Sequence, residues 1–279
     1  MRDLEFPKSM MSPIAAIKMA FGPSRPLTSQ EEKDLRAAFK AYDAATGRGD
    51  LVTPVTQFQK ASCEDFYEAY DQTYEDRRLE KLRTKIKAIA RNRCPRCGGS
   101  RPGTLDHHLP RAVYAEFAVY PKNLLACCNE CNMKKSKTVG SRLEEAFLHP
   151  YFDRLPAVPF IHVTLKVGRS VRAQVAFDDG AAITDPVLKA RMKYQFDKVD
   201  VNARIASEME EFITETASVV ADTTNAPSLD VVKKLLVRRA TSADEQYGVT
   251  SWQSALLREL ARSNAFCNGG YRRMLPKKL

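Results

Sequence analysis

Apolar positions recur at helical spacing along much of the chain. Leu35, Ala38, Phe39 and Tyr42 fall at i, i+3, i+4 and i+7 and give one modest apolar face. A helix is therefore predicted from Ser29, which forms a Ser-x-x-Glu capping box with Glu32, to about Thr46, where Gly47 stops it. Ahead of it, Pro7, Pro13, Pro23 and Pro26 make residues 1–28 read as irregular. After a linker, Ser62 is placed to cap a long helix from Glu64 to about Asn92, with Phe66, Tyr67, Tyr70, Tyr74, Leu79, Leu82, Ile86 and Ile89 compatible with a single face. Leu143 to Leu148 reads as a short helix. The period then drops to two in Phe160–Val167 and Val171–Phe177, and Gly168-Arg169-Ser170 joins them as a β-hairpin. Asp185 as N-cap and Pro186 at N1 open a further helix. Helical patterning then fills Val187–Phe196, Val201–Ala221, Ser228–Thr241 and Ser251–Ala265. In the last of these Trp252, Leu256, Leu257 and Leu260 read as core.

One stretch follows neither period. Cys94 to Lys137 carries two Cys-x-x-Cys pairs, Cys94/Cys97 and Cys128/Cys131, with Asp106, His107, His108, Pro110, Asn123 and Leu124 between them and Asn132 directly after the last cysteine. Zinc prefers four tetrahedral thiolate or imidazole ligands, and each knuckle offers two sulfurs from one turn. The spacing predicts a single zinc site at Cys94, Cys97, Cys128 and Cys131, with Gly98-Gly99 permitting the first tight turn. Cys127 fits a knuckle less well than Cys128 and reads as a small buried residue, as do Cys63 and Cys267. A closed all-cysteine site has no open position, so this zinc is expected to staple the fold rather than perform chemistry.

Composition narrows the setting. The chain has 279 residues, seven cysteines and 44 Lys+Arg against 34 Asp+Glu, a formal charge of +10. The length suits one or two domains, and the basic excess makes a polyanionic partner plausible. No apolar run approaches the ~20 residues needed to cross a bilayer. The N-terminus lacks an uninterrupted apolar stretch, so secretion is not expected and the odd cysteine count favours zinc in a reducing cytoplasm over disulfides. The second half of the predicted long helix is basic, with Arg77, Arg78, Lys81, Arg83, Lys85, Lys87, Arg91 and Arg93. That run leads into the cysteine stretch, where it reads as a solvated face or as a phosphate contact. Lys134, Lys135 and Lys137 carry the same two readings.

Asp106-His107-His108-Leu109-Pro110, Asn123-Leu124 and Cys128-Asn129-Glu130-Cys131-Asn132-Met133-Lys134-Lys135 occur in this order. Together they resemble the HNH endonuclease superfamily in its zinc-stapled form, whose core is a ββα-metal fold. The resemblance implies that Asp106 and Asn132 hold a catalytic Mg²⁺ or Mn²⁺, that His107 is the general base, and that Asn123 orients the catalytic loop or imidazole. In a shifted register found in some members, His107 would be a ligand and His108 the base; the position of Pro110 favours the first. The chemistry suits the residue types: oxygen donors hold a hard cation, and a neutral imidazole takes a proton from water. A looser likeness, through the His149–Leu155 segment and a Trp-containing helical C-terminal part, connects the chain to HNH subunits of bacterial anti-phage defence systems that pair with an ATPase (Septu-like). His149 and Asp153 themselves read as packing or capping residues.

These readings give an α+β, mostly helical chain in three regions. Residues 1–62 form an irregular and helical N-terminal region, 63–150 the basic helix and zinc-stapled HNH core, and 151–279 a β-hairpin with a helical C-terminal region. The expected activity is metal-dependent endonucleolytic hydrolysis of DNA, with no membrane association and an open oligomeric state. Two alternatives stand beside it: a non-catalytic zinc module that binds nucleic acid or a partner, and a nuclease latent until a partner activates it.

Overall fold

The computed structural model describes all residues except 100, 141, 224–226 and 276–279. It is an α+β protein with two two-stranded antiparallel sheets. The chain forms two compact units, one of Arg2–Leu155 with Asp185–Val199, the other chiefly of Pro156–Thr184 with Asp200–Leu279.

In the first unit, α1 (Pro13–Phe21) occupies part of the segment expected to be irregular. The prolines bracket this helix rather than forbid it. Pro13 sits at N1, where a missing N–H costs nothing, Ser12 caps Ala15 N, and Gly22 ends the helix at φ 67°. Ile14, Ile17 and Phe21 provide its buried face. Helix α2 (Ser29–Ala44) starts one residue earlier than the predicted box: Thr28 and Glu31 exchange the two capping hydrogen bonds. Both Thr28/Glu31 and Ser29/Glu32 fit the pattern, and tertiary partners decide between them. Arg25 grips Glu31 at 2.7 and 2.8 Å, while Glu32 is taken by Lys18 and Arg36.

The single helix predicted over Glu64–Asn92 is two helices. α3 (Lys60–Ala69), whose N-cap is Gln59 rather than Ser62, runs into a 3-10 turn at Tyr70–Thr73, and the chain resumes as α4 (Glu80–Ile89). Asp76 adopts a left-handed φ of 58° between them. The intervening Asp71, Gln72, Glu75 and Asp76 are too polar to hold the break closed by packing. The Leu79 N–H bridges it by donating to Gln72 O at 2.7 Å. Helix α4 buries Leu82 and Ile86 and leaves Lys81 and Lys85 exposed.

The core of this unit is aromatic: Phe39 stacks on Tyr120 at 4.6 Å, and Tyr42 meets Phe117 edge-on at 4.9 Å. Against it lies a short ribbon of β1 (Thr104–His107) and β2 (Leu124–Cys127), antiparallel, with Asp106 opposite Leu125 and His107 opposite Leu124. Helix α5 (Asn129–Lys135) follows directly. The segment expected as a helix at Leu143–Leu148 is one 3-10 turn, Leu143–Glu145. The unit is completed by α6 (Pro186–Lys198), capped by Asp185 as predicted.

In the second unit, β3 (Ile161–Val167) and β4 (Val171–Phe177) form the predicted hairpin, with Val167 opposite Val171 at the turn. Helices α7 (Val201–Thr223), α8 (Leu229–Tyr247), α9 (Trp252–Arg262) and the single turn α10 (Asn264–Cys267) complete it. Trp252, Leu256, Leu257 and Leu260 are buried, as their spacing predicted. No helix among the described residues is long and apolar enough to cross a membrane.

Candidate functional site

The two knuckles converge. The sulfurs of Cys94, Cys97, Cys128 and Cys131 are buried and lie within 4.8 Å of one another. The first knuckle closes through Gly98 N to Cys94 O at 2.8 Å, with Gly98 in the left-handed region at φ 78°. The second knuckle opens α5, with Cys128 at its N-cap. A tetrahedral zinc with ~2.3 Å Zn–S bonds needs sulfurs ~3.8 Å apart, and Cys97 Sγ lies 4.0 Å from Cys128 Sγ. The donor set therefore fits a metal such as zinc. Thiol chemistry agrees. Burial opposes the Cys94 thiolate, but hydrogen bonds from Cys128, Cys131 and Cys97 hold its pKa well below the ordinary thiol value. Cys97 and Cys131 are pushed up, first by their contact with Cys128. Without a cation such a set resists holding four thiolates; a divalent ion removes that conflict.

Arg96, between the first two cysteines, points inward and is 0% exposed. Its Nε and Nη2 donate to Asp106 Oδ2 at 3.0 and 2.5 Å, and Cζ sits 5.0 Å over the Phe147 ring. Gln195 of α6 holds the Arg96 carbonyl at 3.1 Å. On the other side of Asp106, which is 4% exposed, Lys135 Nζ lies 3.6 Å from Oδ1 and donates to His107 O at 2.7 Å. Burial works against the Arg96 cation, yet Asp106 keeps its pKa above the usual value; for Lys135 burial wins and the pKa falls. One buried carboxylate thus neutralises one of two buried cations and partly serves the other.

The remaining predicted residues separate into two groups. His107 lies at the end of β1, its ring 4.6 Å from Tyr70, and Nε2 is 2.8 Å from Ala118 O. A carbonyl only accepts, so Nε2 carries the proton and Nδ1 the lone pair. Burial pushes the His107 pKa down to about 4, so the ring is neutral at pH 7. Arg111 stands close by, with Cζ 4.1 Å over Tyr67 and 4.6 Å over Tyr70.

Asn123 is wholly structural in its contacts. Oδ1 accepts from Leu109 N at 2.7 Å and Tyr42 OH at 3.0 Å, and Nδ2 donates to Leu109 O and Phe117 O. It fixes the loop that follows His107 and His108. Tyr42 also meets His149 Nε2 at 3.0 Å. Because Tyr151 N donates to His149 Nδ1, the proton of that neutral ring sits on Nε2 and is given to Tyr42, which passes its own to Asn123. His108 packs its ring 4.2 Å from that of His149. His108 is buried, its Nδ1 is without a hydrogen-bond partner, and burial and His149 push its pKa well below the usual value. The absent side chain of Gly47 makes room here: a Cβ would lie 2.5 Å from His149 Cδ2. His149 and Asp153 act as packing and capping groups, Asp153 accepting from His149 N and from Arg191.

Asn132 lies on α5, but the contact it makes is with Thr104, Nδ2 to Oγ1 at 3.3 Å. Lys135, one turn further along α5, is the residue that reaches Asp106. Lys134 and Lys137 are exposed, whereas Lys135 is 0% exposed and is neither a solvated face nor a surface phosphate contact. Arg96 escapes the sequence reading altogether, and Tyr42 reads only as part of an apolar helix face. The place of Arg96 inside a Cys-x-x-Cys turn gives no signal, since in the second knuckle Asn129 is exposed and Glu130 half-buried.

No family model matches the chain, and no solved structure does. A stretch of 64 residues is 39% identical to Protein ea31 of Escherichia phage lambda, covering 22% of this chain and 22% of the phage protein. The chain thus spans only that small share of the relative, and the likeness carries no function.

Proposed function

We propose that the protein is an HNH-type endonuclease that hydrolyses phosphodiester bonds in DNA, with His107 as the general base and the four cysteines as a structural zinc staple. The observation that carries this reading is the tautomer of His107. Its Nε2–H is anchored on Ala118 O, which leaves the Nδ1 lone pair as the atom that takes a proton from water. Asn123 makes four hydrogen bonds, to Leu109, Tyr42 and Phe117, that fix the adjoining loop, and Arg111, paired with the exposed Asp71 at 3.4 Å and lying over Tyr70, would exchange that partner for a phosphate oxygen. The defence role and the ATPase partner belong to the same proposal and rest on the resemblance alone.

The cation of the resemblance, Mg²⁺ or Mn²⁺, would polarise the scissile phosphate. As the side chains stand, its two expected ligands do not offer a site. Asp106 is held by Arg96 and Lys135, and Asn132 is turned to Thr104. The same observation favours the second reading, a metal-stapled module that binds nucleic acid without cleaving it, because a carboxylate engaged with two buried cations serves structure. Incubating purified protein with supercoiled, linear and single-stranded DNA across a Mg²⁺ and Mn²⁺ series separates the two. The proposal expects nicked or linear product; binding with no product at any metal concentration, alone or with a partner subunit, supports the module.

A further inference from the structure

The unit of residues 156–184 and 200–279 carries an unevenly charged ribbon. The inward positions of the β3–β4 hairpin include Val163, Val171, Val175 and Phe177, all buried. The outward positions are His162, Thr164 and Lys166 on β3 and Arg172, Gln174 and Ala176 on β4, all exposed. The register sets Lys166 directly opposite Arg172 and Thr164 opposite Gln174. Like charges facing one another across an antiparallel pair destabilise it, and neither strand contains an acid. The turn adds Arg169. The 3-10 turn Gly270–Met274 brings two more arginines to the same end: Arg273 Nη1 donates to Gly168 O at 2.5 Å, Val171 N donates to Met274 Sδ at 3.3 Å, and Arg272 adjoins.

Ion pairs in this unit include Asp244 with Arg258 and Glu259 with Arg262, on α8 and α9. Among the described residues, none of the five ribbon-end cations has a carboxylate partner. A groove of about 370 Å³ adjoins the opposed pair, lined by Lys166, Arg172, Gln174, Asn202, Met209 and Glu210 among others, with Glu210 the one acid in its lining. The large apolar side chains that this unit exposes, Val219, Val231 and Val237, are on α7 and α8 rather than on the ribbon. A surface of this kind, basic and hydrogen-bonding with no apolar side chain to insert, suits a phosphodiester backbone better than a lipid surface. A two-stranded ribbon also has the width that the major groove of a duplex admits.

We propose that the outward face and turn of this ribbon, Lys166, Arg169 and Arg172 with Arg272 and Arg273, are a docking surface for duplex DNA. The choice of DNA as the polyanion rests on the nuclease reading; the surface itself acts through binding and takes no part in cleavage.

The test measures binding of the full chain carrying His107→Ala to a fluorescent duplex by anisotropy over a salt series. Each lost phosphate contact removes about 0.9 from the slope of log K against log salt. The triple variant Lys166→Ala/Arg169→Ala/Arg172→Ala is expected to bind about 10- to 100-fold more weakly at 0.1 M salt, with a slope shallower by about 2 to 3. A control removing the same charge from α8, Lys233→Ala/Lys234→Ala/Arg238→Ala, is expected to stay within about twofold. All three ribbon residues are exposed, and circular dichroism of both variants checks the fold; Lys166→Gln/Arg172→Gln is the fallback pair. Unchanged affinity and slope in the triple variant, or equal losses in triple and control, overturn the proposal. So does ribbon-dependent capture by phosphatidylserine vesicles with no ribbon-dependent duplex binding. Cleavage by the wild type with unaltered binding of the triple variant removes this surface and leaves the nuclease reading. Ribbon-dependent binding by a wild type that never cleaves does the reverse.

Discussion

In the unit of residues 2–155 and 185–199, Arg96, Asp106, Lys135, Asn123, His108 and His149 all lie below the surface. In the unit of residues 156–184 and 200–279, the interior consists of side chains such as Phe160, Val175, Ile205, Met209, Leu236 and Leu256, and among the described residues the polar ones classed as buried, Thr216, Gln253 and Ser254, are neutral. Removing an ion from water costs several kcal/mol even after relaxation, and a well-packed apolar trio often holds a fold as well as a buried ion-pair triad. The second unit shows that this chain makes an adequate core without buried ions. The charged interior of the first therefore calls for another reason than stability. Its members fix β1, α5 and the loop after His108 around the half-buried His107. Departures from simple packing rules concentrate where a site must be positioned.

The largest expected effect that would break this contrast comes from the cysteines. Cys94→Ser, or prolonged chelation, is expected to strip the metal and unfold the first unit, since a structural zinc contributes on the order of 10 kcal/mol to folding. Hydrogen exchange read peptide by peptide should show β1, β2 and α5 losing protection while α7, α8 and α9 keep theirs. Loss of protection in both units alike would mean that they are not separately built.

Next comes the buried charge. Arg96→Met leaves Asp106 with Lys135 alone and is expected to cost about 3–5 kcal/mol in urea unfolding. Leu256→Ala in the second unit is expected to cost a similar 2–5 kcal/mol through its cavity. Making the whole set apolar is the informative comparison: Arg96→Met with Asp106→Leu and Lys135→Met should recover most of the loss, because no buried charge is left unpaired. The triple variant should be stable and inactive.

The smallest effect is in pH. Burial, followed by the nearby Arg96, pushes the His149 pKa well below its ordinary value, and Arg191 acts in the same sense. The unfolded chain then binds a proton near pH 6.5 that the folded chain refuses. The resulting stability is present above about pH 6.5 and falls as pH drops below it, by at most about 1.4 kcal/mol per pH unit for one such group. His149→Gln should reduce the slope of unfolding free energy between about pH 6.5 and 5 and leave the share set by His107 and His108, whereas Gln253→Leu in the second unit should leave the slope as it was.

Local patterns carried much of this architecture. The hairpin was legible because strict alternation and a Gly-Arg-Ser turn are contained within the two strands, and the Asp185-Pro186 start of α6 because a cap needs only its neighbours. The cysteine cluster was legible because knuckle spacing reflects the coordination geometry itself. Other features depend on partners distant in sequence. Nothing near Thr28 says that Arg25 would choose Glu31 over Glu32. Nothing near Tyr74 marks the break between α3 and α4, since its apolar positions stay compatible with one helix. The site was legible as a set of residue types and illegible as a set of contacts. Lys135 reads as one more surface lysine until α5 is laid along β1, and Tyr42 as one more core aromatic until His149 and Asn123 reach its hydroxyl.

On the proposed function, the cysteine stretch divides into a staple that holds and an imidazole that takes a proton. The direct measurement pairs zinc content with nicking of supercoiled plasmid for the wild type, Cys94→Ser and His107→Ala. His107→Ala is expected to keep wild-type zinc and a cooperative melt, destabilised by about 1–3 kcal/mol where Ala118 O loses its donor, while nicking at least about 100-fold more slowly, the ordinary scale of a lost general base. Cys94→Ser is expected to lose both. A His107→Ala protein that retains its zinc and nicks at the wild-type rate would contradict the assignment of His107 as the base.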